Sequence, residues 1–178
     1  YKEQPFIPFL ALGADAADVG VTVTAASKGW NIAGLKCAII VSQSEKMHEK
    51  LNELPPAMHY RASLLGAFAT VAAFEKGEPW LDSVLEQLDQ NRNLISNLID
   101  SRIPAISYSI PHCSYLAWLD VSKLNLGDDP GAALIERAKV AFNPGHIYGD
   151  LGRDFVRLNF ATSPTIITEA FERIARAL

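Results

Sequence analysis

The sequence is poor in the features that mark several large classes of protein. Its 178 residues include only two cysteines, Cys37 and Cys113, which lie far apart in apolar surroundings. This pattern is typical of free thiols in a reducing compartment, so we expect a cytoplasmic protein without a disulfide framework. The longest uncharged apolar run, residues 64–74, is well short of the roughly 20 residues that a membrane-spanning helix needs. We therefore predict no membrane span.

Positive charge and metal-ligating residues are also scarce. The 16 lysines and arginines are scattered and are outnumbered by 20 acidic residues, which gives a net charge of −4. Proteins that bind nucleic acid concentrate basic residues in a patch or stripe, so no nucleic-acid partner is expected. His48 and His59 fall on predicted helices without a partner at ligand spacing, and we predict no metal site.

What the sequence does contain is a set of short β-branched strands and amphipathic helices, which predicts an α/β fold. In the first part, strands are predicted over residues 19–24 and 35–41, the second of them long enough to be central to a sheet. Helices are predicted over residues 44–54, 60–76 and 78–101, the last two nearly continuous. In the second part, strands are predicted over residues 106–110, 115–120 and 156–160, and helices over residues 129–139 and 166–178.

The candidate site starts from one lysine. Lys28 follows the strand of residues 19–24, lies between Ser27 and Gly29, and is flanked by apolar runs, so we expect its side chain to turn inward. Burial favours an uncharged amine, which attacks an aldehyde to form a Schiff base. Serine hydroxyls, strand-end N–H groups and Lys36 are suited to a phosphate. Together these groups indicate pyridoxal phosphate; the alternative is a solvated loop lysine.

The stretch Ala26-Ser27-Lys28-Gly-Trp-Asn-Ile-Ala-Gly-Leu-Lys36 resembles the Ser-Lys-x-x-Asn-x-x-Gly-Leu signature of fold-type-I pyridoxal-phosphate enzymes of the aminotransferase class I/II superfamily. The variant with Trp30 and Asn31 most resembles the bacterial cystathionine β-lyase, or carbon–sulfur lyase, branch. The similarity continues through Pro5-Phe-Ile-Pro, Tyr115-Leu-Ala-Trp-Leu-Asp, Asn143-Pro-Gly and Phe155-Val-Arg-Leu-Asn-Phe-Ala-Thr-Ser. It therefore covers nearly the whole chain.

The resemblance implies a role for each matching residue. Lys28 is expected to carry the cofactor and to act as the catalytic base, and Arg157 to bind the substrate's α-carboxylate through its planar fork. Ser27 and Lys36 are expected to contact the cofactor phosphate. Thr24 is a substitute donor, because Ala25 stands where relatives often have serine; likewise Lys36 stands where many have arginine.

Two residues between the Asn-Pro-Gly segment and the arginine strand are further candidates. His146 and Tyr148 lie in the loop that precedes Arg157, and they are expected either to line the substrate entrance or to form a simple turn. Cys37, next to Lys36, is expected to be a buried small residue, with a reactive thiolate as the alternative.

In the resembling family, the groups that bind the pyridine ring lie far upstream of the motif lysine, whereas only 27 residues precede Lys28. We therefore expect the C-terminal part of a longer enzyme, with residues 1–78 from the large cofactor-binding domain and residues 79–178 forming the complete small domain. The implied function is carbon–sulfur β-lysis of cystathionine- or cysteine-type amino acids by a homodimer. An aminotransferase is one alternative, and a non-catalytic fragment or regulatory binding module is another.

Overall fold

The computed structural model describes residue 1 and residues 3–178. Its packing divides the chain into two compact units, a first unit of Pro5–Val84 and a second unit of Leu85–Leu178 together with Tyr1–Gln4. The predicted domain boundary between residues 78 and 79 stays a prediction, because compact packing alone does not show that a unit folds by itself.

The first unit consists of short elements followed by longer helices. In chain order they are α1 (Ala14–Val19), β1 (Thr22–Thr24), α2 (Ala26–Gly29), β2 (Ile39–Val41), α3 (Glu45–Asn52), α4 (Ala57–Tyr60), α5 (Leu64–Lys76) and the start of α6 (Glu78–Arg102). Strands β1 and β2 pair antiparallel, with Val23 opposite Ile40.

Both strands are shorter than the sequence predicts. Residues 14–19 form α1, which leaves only Thr22–Thr24 for the first strand. In the second, Ala33–Leu35 forms a turn of 3-10 helix and Lys36 takes a left-handed conformation with φ of 49°, which interrupts an extended chain. The prediction of a strand central to a sheet is therefore wrong for the described residues, where β2 pairs with β1 alone.

Two helices of the first unit, α3 and α5, start at serine caps. The hydroxyl of Ser44 accepts a hydrogen bond from the Met47 N–H, and that of Ser63 accepts one from the Gly66 N–H. The cap at Ser63 moves the start of α5 four residues later than predicted. Only Gly77 separates α5 from α6, which confirms that the two helices are nearly continuous.

The second unit is a sheet with helices. Besides the rest of α6 it contains β3 (Ser107–Tyr108), β4 (Leu116–Asp120), α7 (Pro130–Ala138), β5 (Asn143–Pro144), β6 (Phe155–Asn159) and α8 (Pro164–Ala177). The strands are all antiparallel in the order β3-β4-β6-β5. Each predicted helix and strand of this part is present, and β5 was not predicted.

The core of the second unit lies on one face of this sheet. Alternate residues of β4 and β6 are buried together with apolar residues of the three helices. They include Ala117, Leu119, Val156, Leu158, Ile95, Leu134, Ile167, Phe171 and Ile174. Because side chains alternate along a strand, Arg157 and Trp118 lie on the opposite face. In the part of the chain that the structure describes, no helix has the length and apolar character to cross a bilayer.

Candidate functional site

Lys28 lies on α2, the single helical turn that directly follows β1. Ala25 is extended and Ala26 is completely buried, so the chain enters this turn at a packed position. Lys28 itself is exposed. The prediction that its side chain turns inward is wrong for the described chain, because the neighbouring sheet has only two strands and covers little: Val23 is 70% exposed and Ile40 is 44% exposed.

The chain after Lys28 is fixed to α5 by Trp30. The indole Nε1 donates a hydrogen bond of 2.9 Å to the carbonyl of Gly77, and the ring meets Phe74 edge-on at 5.0 Å between centroids. Within the loop, the N–H of Ile32 donates to the carbonyl of Ser27 at 3.1 Å. The backbone around Lys28 is therefore positioned even though the side chain is exposed.

The start of α5 holds the other end of the motif. The N–H of Ser63 donates to the carbonyl of Lys36 at 3.2 Å. Gly66 lies so close to Leu35 that a Cβ at this position would be 2.2 Å from the Leu35 carbonyl oxygen, so only glycine permits the contact. Contacts at both ends of one helix thus set the positions of the turn after Lys28 and of Lys36.

The donors around this loop suit a phosphorylated aldehyde. Lys28 offers a primary amine, Ser27 and Thr24 offer hydroxyls, and Lys36 offers a second ammonium group. Ser27 is half-buried, and Thr24, Lys28 and Lys36 are exposed, so all four are accessible to a ligand. The Lys36 ammonium group and the two hydroxyls complement a phosphate dianion, and the Lys28 amine is the group that reacts with an aldehyde.

The guanidinium of Arg157 donates one hydrogen bond within the protein and has further N–H donors for a ligand. One Nη donates a hydrogen bond of 3.1 Å to the side-chain oxygen of Asn143, which is its cross-strand neighbour on β5. The Nε is buried and finds no hydrogen-bond partner among the described residues. A guanidinium has five N–H donors in a rigid fork, so this one retains the capacity to bind a carboxylate.

One aromatic ring contacts the Arg157 head group, and two further rings support it. The guanidinium carbon lies 4.8 Å from the centroid of the Tyr148 ring. Trp118, which is opposite Arg157 on β4, meets Tyr148 edge-on at 5.6 Å and stacks on Phe155 at 5.4 Å. The arginine is therefore placed by a hydrogen bond on one neighbouring strand and by an aromatic cluster supported from the other.

A cavity of about 400 Å³ adjoins Arg157 within the second unit. Its lining comes mainly from residues 139–143, which lead into β5, from residues 157–159 of β6 and from α8. Its polar lining includes Lys139, Asn143, Arg157, Asn159, Thr162, Glu169 and Arg173. The ion pair between Arg173 and Glu169 lies on its α8 wall.

The remaining sequence candidates have varied surroundings. His146 is exposed in the 3-10 turn of Gly145–Tyr148, and Tyr148 of the same turn contacts Arg157. Cys37 is half-buried instead of buried, since it follows the left-handed Lys36 and precedes the exposed β2. His48 and His59 lie on α3 and α4, as predicted. The described residues contain no cluster of three or more side chains suited to a metal ion.

Sequence reasoning missed Asn143 and Trp118 as neighbours of Arg157. The signal for Trp118 was present, because it occupies the outward position of a strand whose alternate residues are apolar. Asn143 lies on a strand of two residues, which is too short to show any alternation.

Comparison with known proteins gives concordant results. The family described as aminotransferase class I and II matches residues 1–174. The cystathionine beta-lyase PatB of Bacillus subtilis is 35% identical over 96% of this chain, which is 45% of that protein. Protein MalY of Escherichia coli is 38% identical over 89% of the chain and 41% of its own length.

Solved structures agree with these matches. The PLP-bound C–S lyase from Staphylococcus hominis superposes with a TM-score of 0.83 at 28% identity, over 98% of this chain and 46% of that one. Cystalysin from Treponema denticola, a structure containing pyridoxal 5′-phosphate, gives a TM-score of 0.84 at 27% identity, over 96% and 44%. The chain thus has the fold of the corresponding part of these proteins, and it spans less than half of the length of the relatives it matches.

Proposed function

This chain belongs to the aminotransferase class I and II family, and we propose that it is the C-terminal part of a pyridoxal-phosphate-dependent carbon–sulfur β-lyase. The substrates are amino acids of the cystathionine or cysteine type, and the products are pyruvate, ammonia and a thiol. The names of the relatives from Bacillus subtilis and Staphylococcus hominis support a lyase. The resemblance of the Trp30-Asn31 variant to the same branch supports it as well.

The cofactor would be held by the loop at the end of β1. Lys28 would bind its aldehyde carbon, and Ser27, Thr24 and Lys36 would bind its phosphate. When bound, pyridoxal phosphate supplies an electron sink that makes the α-proton of an amino acid acidic. The hydrogen bond from the Trp30 indole to the Gly77 carbonyl would keep the Lys28 backbone in place while its side chain moves.

The single observation that carries the proposal is the state of Arg157. Its guanidinium is fixed by Asn143 and Tyr148 yet retains a buried Nε without a partner among the described residues. A bidentate carboxylate satisfies such a fork and orients the α-carbon of an amino acid. Arg157 would therefore bind the α-carboxylate, and the Nζ of Lys28 would take up the proton from the α-carbon.

Proton abstraction at neutral pH requires an uncharged amine, and Lys28 is exposed in the described chain. The matching relatives are about twice as long as the stretch that this chain spans. We propose that the further length in such a protein covers the face around β1 and β2 and removes Lys28 from water. We also propose that the substrate is a small amino acid, that the longer protein is a homodimer, and that it is located in the cytoplasm.

An aminotransferase is the second candidate, because the family itself is described by that activity and the two reactions share the roles of Lys28 and Arg157. The exposure of Lys28 is the observation that favours a non-catalytic fragment or a regulatory binding module. Product analysis separates these possibilities.

The test is to incubate the full-length protein that contains this chain with pyridoxal phosphate and cystathionine and to measure pyruvate, ammonia and thiol. We expect all three in equal amounts and independently of any keto acid. Arg157→Lys should raise KM by roughly tenfold, because a point charge replaces a fork. The control Arg153→Lys alters an exposed arginine of the preceding loop and should leave KM unchanged. Transfer of the amino group only in the presence of a keto acid would favour the aminotransferase. If neither pyruvate nor a transferred amino group is found, the non-catalytic alternative is favoured.

A further inference from the structure

The arginine that we propose to bind the carboxylate contacts Tyr148, a residue of the loop that precedes its strand. We propose that Tyr148 is a positioning residue: its ring sets the plane of the Arg157 guanidinium, with Trp118 holding the ring in place. The proposal rests on the proposed role of Arg157 in binding the substrate's α-carboxylate. It concerns a side chain that does not itself touch the substrate.

The first step is that Arg157 needs external support. Its side chain leaves β6 on the face away from the core, so the apolar core does not hold its guanidinium. The bond from Nη to Asn143 fixes one point of the head group at 3.1 Å. One hydrogen bond leaves the guanidinium free to rotate about that contact, and a second contact is needed to define its plane.

The second step is that the Tyr148 ring supplies this contact. The guanidinium carbon is 4.8 Å from the ring centroid, which is within the range of a cation–π interaction. A ring that contacts the guanidinium at its carbon leaves the N–H edges available, and a carboxylate binds through two N–H groups of one edge. The ring thus restricts the plane without competing for the donors.

The third step is that the ring is itself supported. Tyr148 lies in a 3-10 turn that ends at Gly149, whose φ of 123° is a conformation favoured by glycine. Trp118 meets the ring edge-on at 5.6 Å, and Trp118 stacks on Phe155 at 5.4 Å. Trp118 is also the cross-strand neighbour of Arg157. The same pair of strands therefore positions both Arg157 and the indole that supports the Tyr148 ring.

The test compares Tyr148→Leu, which removes the ring, with Tyr148→Phe, which retains it. In the cofactor-loaded enzyme we expect Tyr148→Leu to raise KM for an α-amino acid roughly tenfold with little change in kcat, as expected for the loss of one cation–π contact. Tyr148→Phe should keep KM within about threefold of the starting value, since the ring face is preserved. Trp118→Leu should give an intermediate KM. Leu151→Ala, at a residue 96% exposed in the same loop, is the surface control.

A second measurement does not depend on turnover. The Nε–H resonance of Arg157 is followed by NMR during titration with propionate, in protein without the cofactor. We expect saturable shifts, with an affinity weakened by Tyr148→Leu and retained by Tyr148→Phe. Equal KM in Tyr148→Leu and the parent enzyme would overturn the positioning role, as would equal losses in the leucine and phenylalanine variants. A fall in kcat and melting temperature at constant KM would assign the residue to stability and also overturn it.

The two proposals fail in different ways. If the parent protein produces neither pyruvate nor transferred amino group, the proposed function fails, and the propionate titration alone decides the role of Tyr148. If the parent is active and neither measurement responds to Tyr148→Leu, the function stands and the positioning role is wrong.

Discussion

The indole nitrogen of Trp30 donates a hydrogen bond to the carbonyl of Gly77, a residue 47 positions further along the chain. This contact connects the loop of Lys28 to the junction between α5 and α6. Because Lys28 is exposed, its position is set by the backbone that carries it and little by the packing of its own side chain. The Trp30–Gly77 contact is therefore a determinant of where the amine can reach.

Gly77→Ala should weaken the contact between Trp30 and residue 77. A Cβ on Gly77 would lie 2.3 Å from the indole nitrogen and 2.5 Å from the carbonyl oxygen of Ala73, so both the ring and the helix end must shift. We expect the free energy of unfolding to fall by about 1–3 kcal/mol, as measured by urea denaturation. Gly34→Ala is the matched control, because a Cβ there has no heavy atom within 4 Å, and its effect should stay within about 0.5 kcal/mol. Equal effects at the two glycines would show that this contact contributes nothing.

Asn91 on α6 should be important for the stability of the second unit. Its side chain is 1% exposed, and its amide nitrogen donates to the carbonyls of Phe160 and Thr162 at 2.9 and 2.8 Å. Asn91→Leu leaves those carbonyls without their donor directly after the strand of Arg157. We expect a loss of about 2–4 kcal/mol in unfolding free energy.

The control for this prediction is Asn93→Leu. The Asn93 amide also donates to a carbonyl, that of Asp89 at 2.8 Å, but the residue is exposed and water can replace it. We expect a change within about 0.5 kcal/mol. If thermal unfolding of both variants shifts equally, burial of the Asn91 amide is not the cause.

Two aspartate–arginine pairs of the same spacing should differ in their contribution to stability. Arg92 pairs with Asp89 and its side chain is 8% exposed, whereas Arg153 pairs with Asp150 and is 68% exposed. Arg92 also lies 4.0 Å above the ring of Tyr1 and donates to the Pro111 carbonyl at 3.0 Å. We expect Arg92→Ala to cost about 2–4 kcal/mol, because a buried guanidinium loses its hydrogen bonds and its packing on the Tyr1 ring, and Arg153→Ala at most about 0.5 kcal/mol. Similar losses in calorimetric melting would contradict this difference.

Alkaline pH should weaken the second unit through two half-buried phenols, those of Tyr1 and Tyr108. Desolvation raises the pKa of Tyr1 from 10.0 to about 12, and desolvation likewise raises the pKa of Tyr108. A phenol whose pKa is higher in the folded state stabilises the fold fully below pH 10.0, and this stability is lost as the pH rises toward 12. Since both rings are partly exposed, we expect a loss of about 1 kcal/mol or less from each.

The measurement is the unfolding free energy as a function of pH, for the parent and for Tyr108→Phe. The variant should show a shallower decline above pH 10.0, because it no longer contributes a titrating phenol. Tyr60→Phe, at a ring 79% exposed in the first unit, is the surface control. A slope that is the same in all three proteins would rule out the desolvated phenol as the cause.

The sequence predicted the second unit better than the first, and the reason is packing. The strands of Leu116–Asp120 and Phe155–Asn159 alternate buried and exposed residues, and α8 starts at the Ser163 cap next to Pro164. In such segments the local pattern and the tertiary environment favour the same structure. In the first unit, by contrast, the apolar residues of 35–41 suggested a strand, but the left-handed Lys36 limits it to three residues.

The site shows the same division. Lys28 and Arg157 were identified from their motifs, and the contacts that position them were not. The partners of Trp30 and Arg157 lie at separations of 47 and 14 residues, beyond any local pattern. The burial of Lys28 was predicted wrongly, because the exposure of a side chain depends on what covers its sheet and not on its own neighbours in sequence.

The most direct test of the proposed role of Lys28 is to find where the cofactor attaches. The protein is incubated with pyridoxal phosphate, reduced with borohydride, digested and examined by mass spectrometry. We expect the reduced cofactor on the peptide that contains Lys28. Lys28→Ala should abolish this modification, and Lys50→Ala, at an exposed lysine of α3, should not. Attachment that is spread over other lysines at the same level, or that persists in Lys28→Ala, would contradict the proposed role.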